Sequence, residues 1–255
     1  MDLFDLKGRV AMVTGGNGGI GLGMARGLAA AGAAVAVVGR DAAKSKRAVS
    51  ELAALGVPAE AVEADVSQED AVRAATAQVA DRFGRVDILV NNAGINIRKA
   101  PQEYSLAEWR QVLDTNLTSA FLLSQAVYPL MKRQGGGKII NIGSMMSIFG
   151  AAFAGPYAAS KGGIVQFTRA TASAWARDNI QVNAVLPGWI DTDLTRKARA
   201  QVTSLHDSIL ARTPAGRWGV AEDLAGIAVF LGGPASDFVT GTAIPVDGGY
   251  SIQGV

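Results

Sequence analysis

Residues Arg9 to Gly32, "RVAMVTGGNGGIGLGMARGLAAAG", decide the fold. A short apolar run, "RVAMVTG", reads as a strand, and a helical pattern follows from Ile20 to Ala31. Between them, Thr14 to Gly21 holds five glycines in eight residues. Glycine lets the backbone adopt positive φ and come close to a ligand, and a helix N-terminus offers unpaired N–H groups to a pyrophosphate. The spacing Gly15, Gly19, Gly21 is G-x-x-x-G-x-G, not the commoner G-x-G-x-x-G. A tight turn would use the same glycines. Their place at the first strand-to-helix junction is the context that turns the cluster into a dinucleotide site.

The same alternation runs outward to the end of the chain. "AAVAVVG" is a second strand, Lys44 to Leu55 a helix, "PAEAVEADV" a third strand and Gln68 to Phe83 a helix. "VDILVNNAG" gives strand four, followed by helical stretches around Leu106 to Gln134, then "KIINIGS" as strand five. Pro156 to Asp178 is a long helix, "IQVNAVLPG" strand six, Val220 to Leu231 helical, and "TAIPVDGG" the seventh strand. The strands are apolar and β-branched throughout, as befits a parallel sheet covered on both faces. Repeated βα units imply right-handed crossovers and helices on both sides. The expected fold is α/β: one Rossmann-type domain over residues 1–255, a doubly wound parallel seven-stranded sheet flanked by helices. No linker or low-complexity tract interrupts it.

Composition narrows the function. The chain has 255 residues, 49% hydrophobic and 6% aromatic, with 24 basic and 22 acidic side chains interleaved. No basic stripe for nucleic acid stands out. The absence of cysteine excludes disulfides, thiolate chemistry and Cys-ligated metals, and no metal site is expected. The start "MDLFDLKGRVAMV" is acidic where a signal peptide is basic. The apolar run Leu28 to Val38 falls short of the roughly 20 residues a membrane span needs. A cytoplasmic protein without membrane contact is expected.

In dinucleotide folds the end of the second strand selects the cofactor, a carboxylate there binding the ribose 2′-hydroxyl of NAD. Here it reads Gly39-Arg40, with Asp41 one step further. A guanidinium stands where a 2′-phosphate could be gripped, which favours NADP(H) over NAD(H). No basic residue in the glycine loop supports it. Further on, "YAASK" puts Tyr157 and Lys161 on one helix face. They read either as a solvated surface pair or as an acid–base pair, the cation drawing the phenol's pKa down from about 10.

Seven motifs in order make the whole chain resemble the short-chain dehydrogenase/reductase family: "TGGNGGIG", Asp65-Val66, "NNAG" at Asn91 to Gly94, Asn116, Ser144, "YAASK" and "PGWIDT" at Pro187 to Thr192. The resemblance implies that Gly15, Asn17, Gly18, Gly19, Ile20, Gly21 and Arg40 hold the dinucleotide. It also implies that Asp65 and Val66 flank the adenine, and that Asn91, Asn92, Ala93 and Gly94 shape the central strand end. Pro187, Gly188, Ile190 and Thr192 would line the nicotinamide. Tyr157 would be the general acid/base, Lys161 would hold the nicotinamide ribose, Ser144 would orient the substrate carbonyl, and Asn116 would anchor a water. The implied reaction interconverts a secondary alcohol and a ketone, with a tyrosinate stabilised by Lys161 and the cationic nicotinamide. Family members of this kind are usually homotetramers.

Arg98, in "GINIRKAP", lies where the family borders its substrate, and members acting on gluconate-like sugar acids have a similar "NNAG…R" stretch. A guanidinium fork suits a carboxylate. Met146 is a further candidate for the substrate wall, beside Ser144 and Tyr157. The polar segment from Trp189 to Trp218, approximately 189–218, is expected to be a lid, and its arginines and threonines favour a sugar, polyol or sugar acid. His206 has no partner triad and belongs to that lid. The alternatives are a 3-oxoacyl-carrier-protein-type ketoreductase and a non-catalytic dinucleotide-binding regulator. A pure binder would have no need of Ser144, Tyr157 and Asn116 together.

Overall fold

The computed structural model describes residues 3–201 and 204–253. Its seven strands are β1 (Val10–Thr14), β2 (Ala34–Gly39), β3 (Ala59–Glu63), β4 (Ile88–Asn91), β5 (Gly137–Ile142), β6 (Ile180–Pro187) and β7 (Ala243–Val246). They form one sheet in the order β3-β2-β1-β4-β5-β6-β7, every neighbouring pair parallel. The central strands are apolar and buried on both faces, whereas the edge strands β3, with its two glutamates, and β7 are only partly covered. Val13, Val35, Val37 and Val90 pack with helices α1 (Gly19–Ala30), α2 (Ala42–Ala53) and α9 (Ala225–Gly232). The alternate residues Met12, Ala36, Val38 and Leu89 face α3 (Glu69–Phe83) and α5 (Ser119–Arg133).

Strand order reverses between β1 and β4, and a crevice opens at the carboxyl ends of the strands there. Thr14 stitches its rim. Its Oγ1 donates to the Val90 carbonyl at 3.3 Å and accepts from the Asn92 and Ala93 amides at 3.0 and 3.1 Å. The long helix α6 (Gly155–Trp175) then carries "YAASK" to the crevice, while Trp175 at its other end stacks on Tyr128 at 4.8 Å.

Two stretches differ from the sequence reading. The helical region after β4 is α4 (Leu106–Leu113) and α5 separated by a π-helical segment, Asp114–Thr118, around the buried Asn116. The polar stretch after β6, to which the sequence reading assigned no helix, contains α7 (Asp193–Gln201) and α8 (Leu205–Arg212). Asp193 places an acid in the first turn of α7, and Ile209 of α8 buries with Trp218 and Tyr250. His206 stacks on Trp218 with centroids 6.1 Å apart. Val202 and Thr203 of this stretch lie outside the described residues. Among the described residues no helix is long and apolar enough to cross a membrane.

Candidate active site

The crevice is a cavity of about 640 Å³, a size usual for small-molecule sites. At one end are Arg40, Asp65 and Val66; the glycine loop lies along the middle; Arg98, Ser144, Met146, Tyr157 and Lys161 stand at the other end. Asn92, Ala93, Gly94, Pro187, Gly188, Ile190 and Thr192 complete the wall, together with Gly15, Asn17, Gly18, Gly19 and Ile20.

Gly15 and Gly19 adopt φ of +61° and +51°, conformations that strain a side-chain-bearing residue. Asn92 Nδ2 donates to the Thr14 and Gly15 carbonyls at 2.9 and 3.2 Å, tying the loop to the end of β4. Gly21, expected to hold cofactor, does not line the cavity. A Cβ there would come within 2.3 Å of the Gly15 carbonyl oxygen, so this glycine lets α1 pack against its own loop. Asn17 is braced through Nδ2 on the Ser45 hydroxyl at 3.0 Å.

At the far end Arg40 stands 3.9 Å from Asp65. Burial works against the Asp65 carboxylate, yet the Ser67 amide and hydroxyl, with Arg40, hold its pKa below the ordinary value. Sequence reasoning missed Lys44. Asp41 caps α2 by accepting from the Lys44 amide at 2.9 Å, and the Lys44 ammonium crosses to the glycine loop, 3.2 Å from where a Gly18 Cβ would be. It also reaches Asp193 at 3.2 Å, joining the loop to α7. The loop itself lacks a basic residue; α2 provides one. Asp193, Leu194, Thr195 and Lys197 of the segment after β6 line the cavity as well.

Tyr157 and Lys161 share one face of α6. Lys161 is only 4% exposed; its Nζ donates to the Ile142 carbonyl at 2.7 Å and lies 5.7 Å from the centre of the Tyr157 ring. Burial pushes its pKa down to about 8. The expectation that a cation four residues on pulls the phenol down needs correction. Burial pushes Tyr157 up, and the groups that oppose this are the Ser144 hydroxyl and the Arg98 guanidinium. Lys161 is turned to the Ile142 carbonyl instead. Ser144 Oγ accepts from the Met146 amide at 3.1 Å, and Ser147 Oγ donates to the Lys161 carbonyl at 2.7 Å.

Asn116 stands behind the wall, not on it. Its Oδ1 accepts from the Ile95 amide at 2.8 Å, and its Nδ2 donates to the Ile95 carbonyl and the Ser160 hydroxyl at 2.9 and 3.1 Å. Both amide hydrogens are thereby committed to the loop after β4 and to α6.

Arg98 is half-buried, and burial lowers its pKa while Tyr157 and Tyr104 raise it. Its neighbour Lys99 pairs with Glu108 at 2.5 Å. Arg98 makes no hydrogen bond or ion pair among the described residues. No group of three or more His, Cys, Asp or Glu suited to a metal occurs among the described residues.

Comparison with known proteins adds to this geometry. The family model described as Enoyl-(Acyl carrier protein) reductase matches residues 15–251. The 2-dehydro-3-deoxy-D-gluconate 5-dehydrogenase of Formosa agariphila is 43% identical over 98% of this chain and 95% of its own. The gluconate 5-dehydrogenase of Gluconobacter oxydans is 41% identical over 99% and 98%. The solved structure of a gluconate 5-dehydrogenase from Burkholderia cenocepacia, in complex with NADP and tartrate, has a TM-score of 0.94 and 41% identity, covering 98% of both chains.

Proposed function

The chain belongs to the short-chain dehydrogenase/reductase family, and from that premise we propose that it interconverts a secondary alcohol and a ketone on a sugar acid, with NADP(H) preferred. The observation that carries the substrate reading is Arg98. A half-buried guanidinium without a hydrogen bond or ion pair among the described residues, in the same cavity end as Tyr157, is a costly arrangement unless an anion completes it. Lys99 beside it already has its carboxylate. The names of the relatives agree with a gluconate-type substrate. A charged lid wall, with Asp193, Thr195 and Lys197, suits such a molecule better than an acyl chain.

The residues present fit a nicotinamide dinucleotide. The left-handed Gly15 and Gly19 leave a side-chain-free cradle at the start of α1, where amides favour a pyrophosphate. Arg40 and Lys44 supply two cations for a 2′-phosphate, and Asp65 with Val66 would flank the adenine. Asn92, Ala93, Gly94, Pro187, Gly188, Ile190 and Thr192 would surround the nicotinamide end. A nicotinamide dinucleotide, when bound, supplies the hydride acceptor or donor and, oxidised, a positive ring charge.

The protein's own task is the proton. In the oxidative direction the Tyr157 phenolate takes the proton from the substrate hydroxyl; in reduction the phenol returns it to the ketone oxygen. Ser144 donates a hydrogen bond to that oxygen as charge develops. Lys161 holds a positive charge beside the Tyr157 ring, and Asn116 ties the loop after β4 to α6. Arg98 orients the substrate by its carboxylate. The segment 189–218 closes over the site as a lid. The same reading makes the protein a homotetramer, supported by apolar side chains exposed on α4 and α5.

The test is turnover of gluconate and 5-keto-D-gluconate with each dinucleotide, followed by absorbance of the reduced nicotinamide. Activity is expected with NADP(H), and Tyr157→Phe should lower it at least about 100-fold. Wild-type turnover in the Phe variant, or no activity on any sugar acid, overturns the reading.

A further inference from the structure

Among the described residues Arg98 makes no hydrogen bond or ion pair to fix it, so its place is set by the backbone on either side. That backbone converges on one hydroxyl. Tyr104, half-buried just before α4, does not line the cavity. Its Oη accepts from the Lys99 amide at 3.2 Å and lies 2.7 Å from the Ile97 carbonyl, to which it donates. Ile97 and Lys99 are the two neighbours of Arg98 in the chain. The same Oη lies 3.1 Å from the carbonyl of Phe153, a cavity residue on the loop between Ser144 and α6. The Lys99 amide reaches that carbonyl too, at 3.2 Å.

We propose that Tyr104 is a positioning residue: its phenol clasps the loop after β4 to the loop before α6 and thereby holds the Arg98 guanidinium where it meets the substrate carboxylate. The proposal rests on the carboxylate reading of Arg98. The hydroxyl meets main-chain groups on both sides of Arg98 and one on the facing wall, and among the described residues no other side-chain atom ties these three points. Removing it frees the Ile97 carbonyl and leaves the Lys99 amide with its 3.2 Å bond to the Phe153 carbonyl alone. The reacting carbon is untouched, and substrate binding should suffer more than chemistry.

Tyr104→Phe keeps the ring and removes only the clasp. Steady-state reduction is compared for 5-keto-D-gluconate and for L-sorbose, its neutral counterpart with CH2OH in place of the carboxylate. The expected result is a KM for the anion raised about threefold to tenfold, the scale of one neutral hydrogen bond, with kcat and the L-sorbose constants unchanged. In an Arg98→Ala background the added Tyr104→Phe change should have no further effect. Equal losses on both substrates, no loss on either, or an effect that persists without Arg98 overturns the clasp. If Arg98→Ala discriminates between the substrates and Tyr104→Phe does not, the clasp alone fails. If Arg98→Ala does not discriminate, the carboxylate reading and the clasp fail together.

Discussion

Lys161 and Arg98 are two cations with different tasks, and the difference is visible in pH. Burial holds Lys161 at about 8 against an ordinary 10.5, because its charge is desolvated in the folded chain. A lysine depressed in this way weakens the fold while both states are protonated, below pH 8. Between about 8 and 10.5 the unfolded chain binds the proton that the folded chain has released, so stability from this group rises with pH. Relative to Lys161→Met, the wild type should gain on the order of 3 kcal/mol across that window, measured by urea unfolding at several pH values. A constant difference between the two proteins would show that burial does not depress Lys161. Arg98 instead acts on Tyr157, whose phenol is raised by burial and drawn down by Ser144 and Arg98. Arg98→Ala should therefore move the rising limb of the oxidative pH–rate profile to higher pH, while reduction, which uses the protonated phenol, stays level through neutrality. An unshifted limb would mean that Arg98 does not bear on the phenol.

At the scale of elements, the junction of β2 and α2 shows what the sequence makes legible. The strands could be found because their residues are apolar on both faces, and the glycine loop because it joins one to a helix. Arg40 could be read from its place at the strand end. Lys44 could not, since its relation to Gly18 exists only after α2 folds back onto the loop. The same holds for the π segment around Asn116, whose hydrogen bonds to Ile95 and Ser160 are tertiary. Helices α7 and α8 escaped because their polar composition resembles a loop until Ile209 finds Trp218. If Arg40 and Lys44 grip a 2′-phosphate, Arg40→Ala and Lys44→Ala should each raise KM for NADP(H) about tenfold, as loss of a charge-assisted bond does, and leave NAD(H) unaffected. Equal effects on both dinucleotides would remove the phosphate argument. Placing a carboxylate at Gly39 is a poorer test, because its Cβ would press within 2.7 Å of Asn17 Nδ2, which braces the loop.

For the whole molecule, one sheet covered by helices accounts for the strands but not for every apolar side chain. Leu106 and Trp109 on α4 are 62% and 39% exposed, and Phe121 on α5 is 45% exposed, its ring meeting Phe167 of α6 edge-on at 6.3 Å. Exposed apolar side chains of this size are of a kind that marks association when they cluster. The helix that carries Tyr157 and Lys161, α6, packs against α4 and meets Phe121 of α5 through Phe167. Burying a large apolar side chain contributes about 1.5–3 kcal/mol, and two-fold pairing counts each one twice. Multi-angle light scattering at micromolar concentration should give a tetramer. Trp109→Glu with Phe121→Glu places unpaired charge in the proposed contact and should split the tetramer while leaving the sheet, monitored by circular dichroism, intact. The smaller species should also lose activity, because α6 loses the cover that holds its catalytic face in place. A monomeric wild type would overturn the assembly outright, and a tetramer unchanged by both glutamates would move the interface away from α4 and α5.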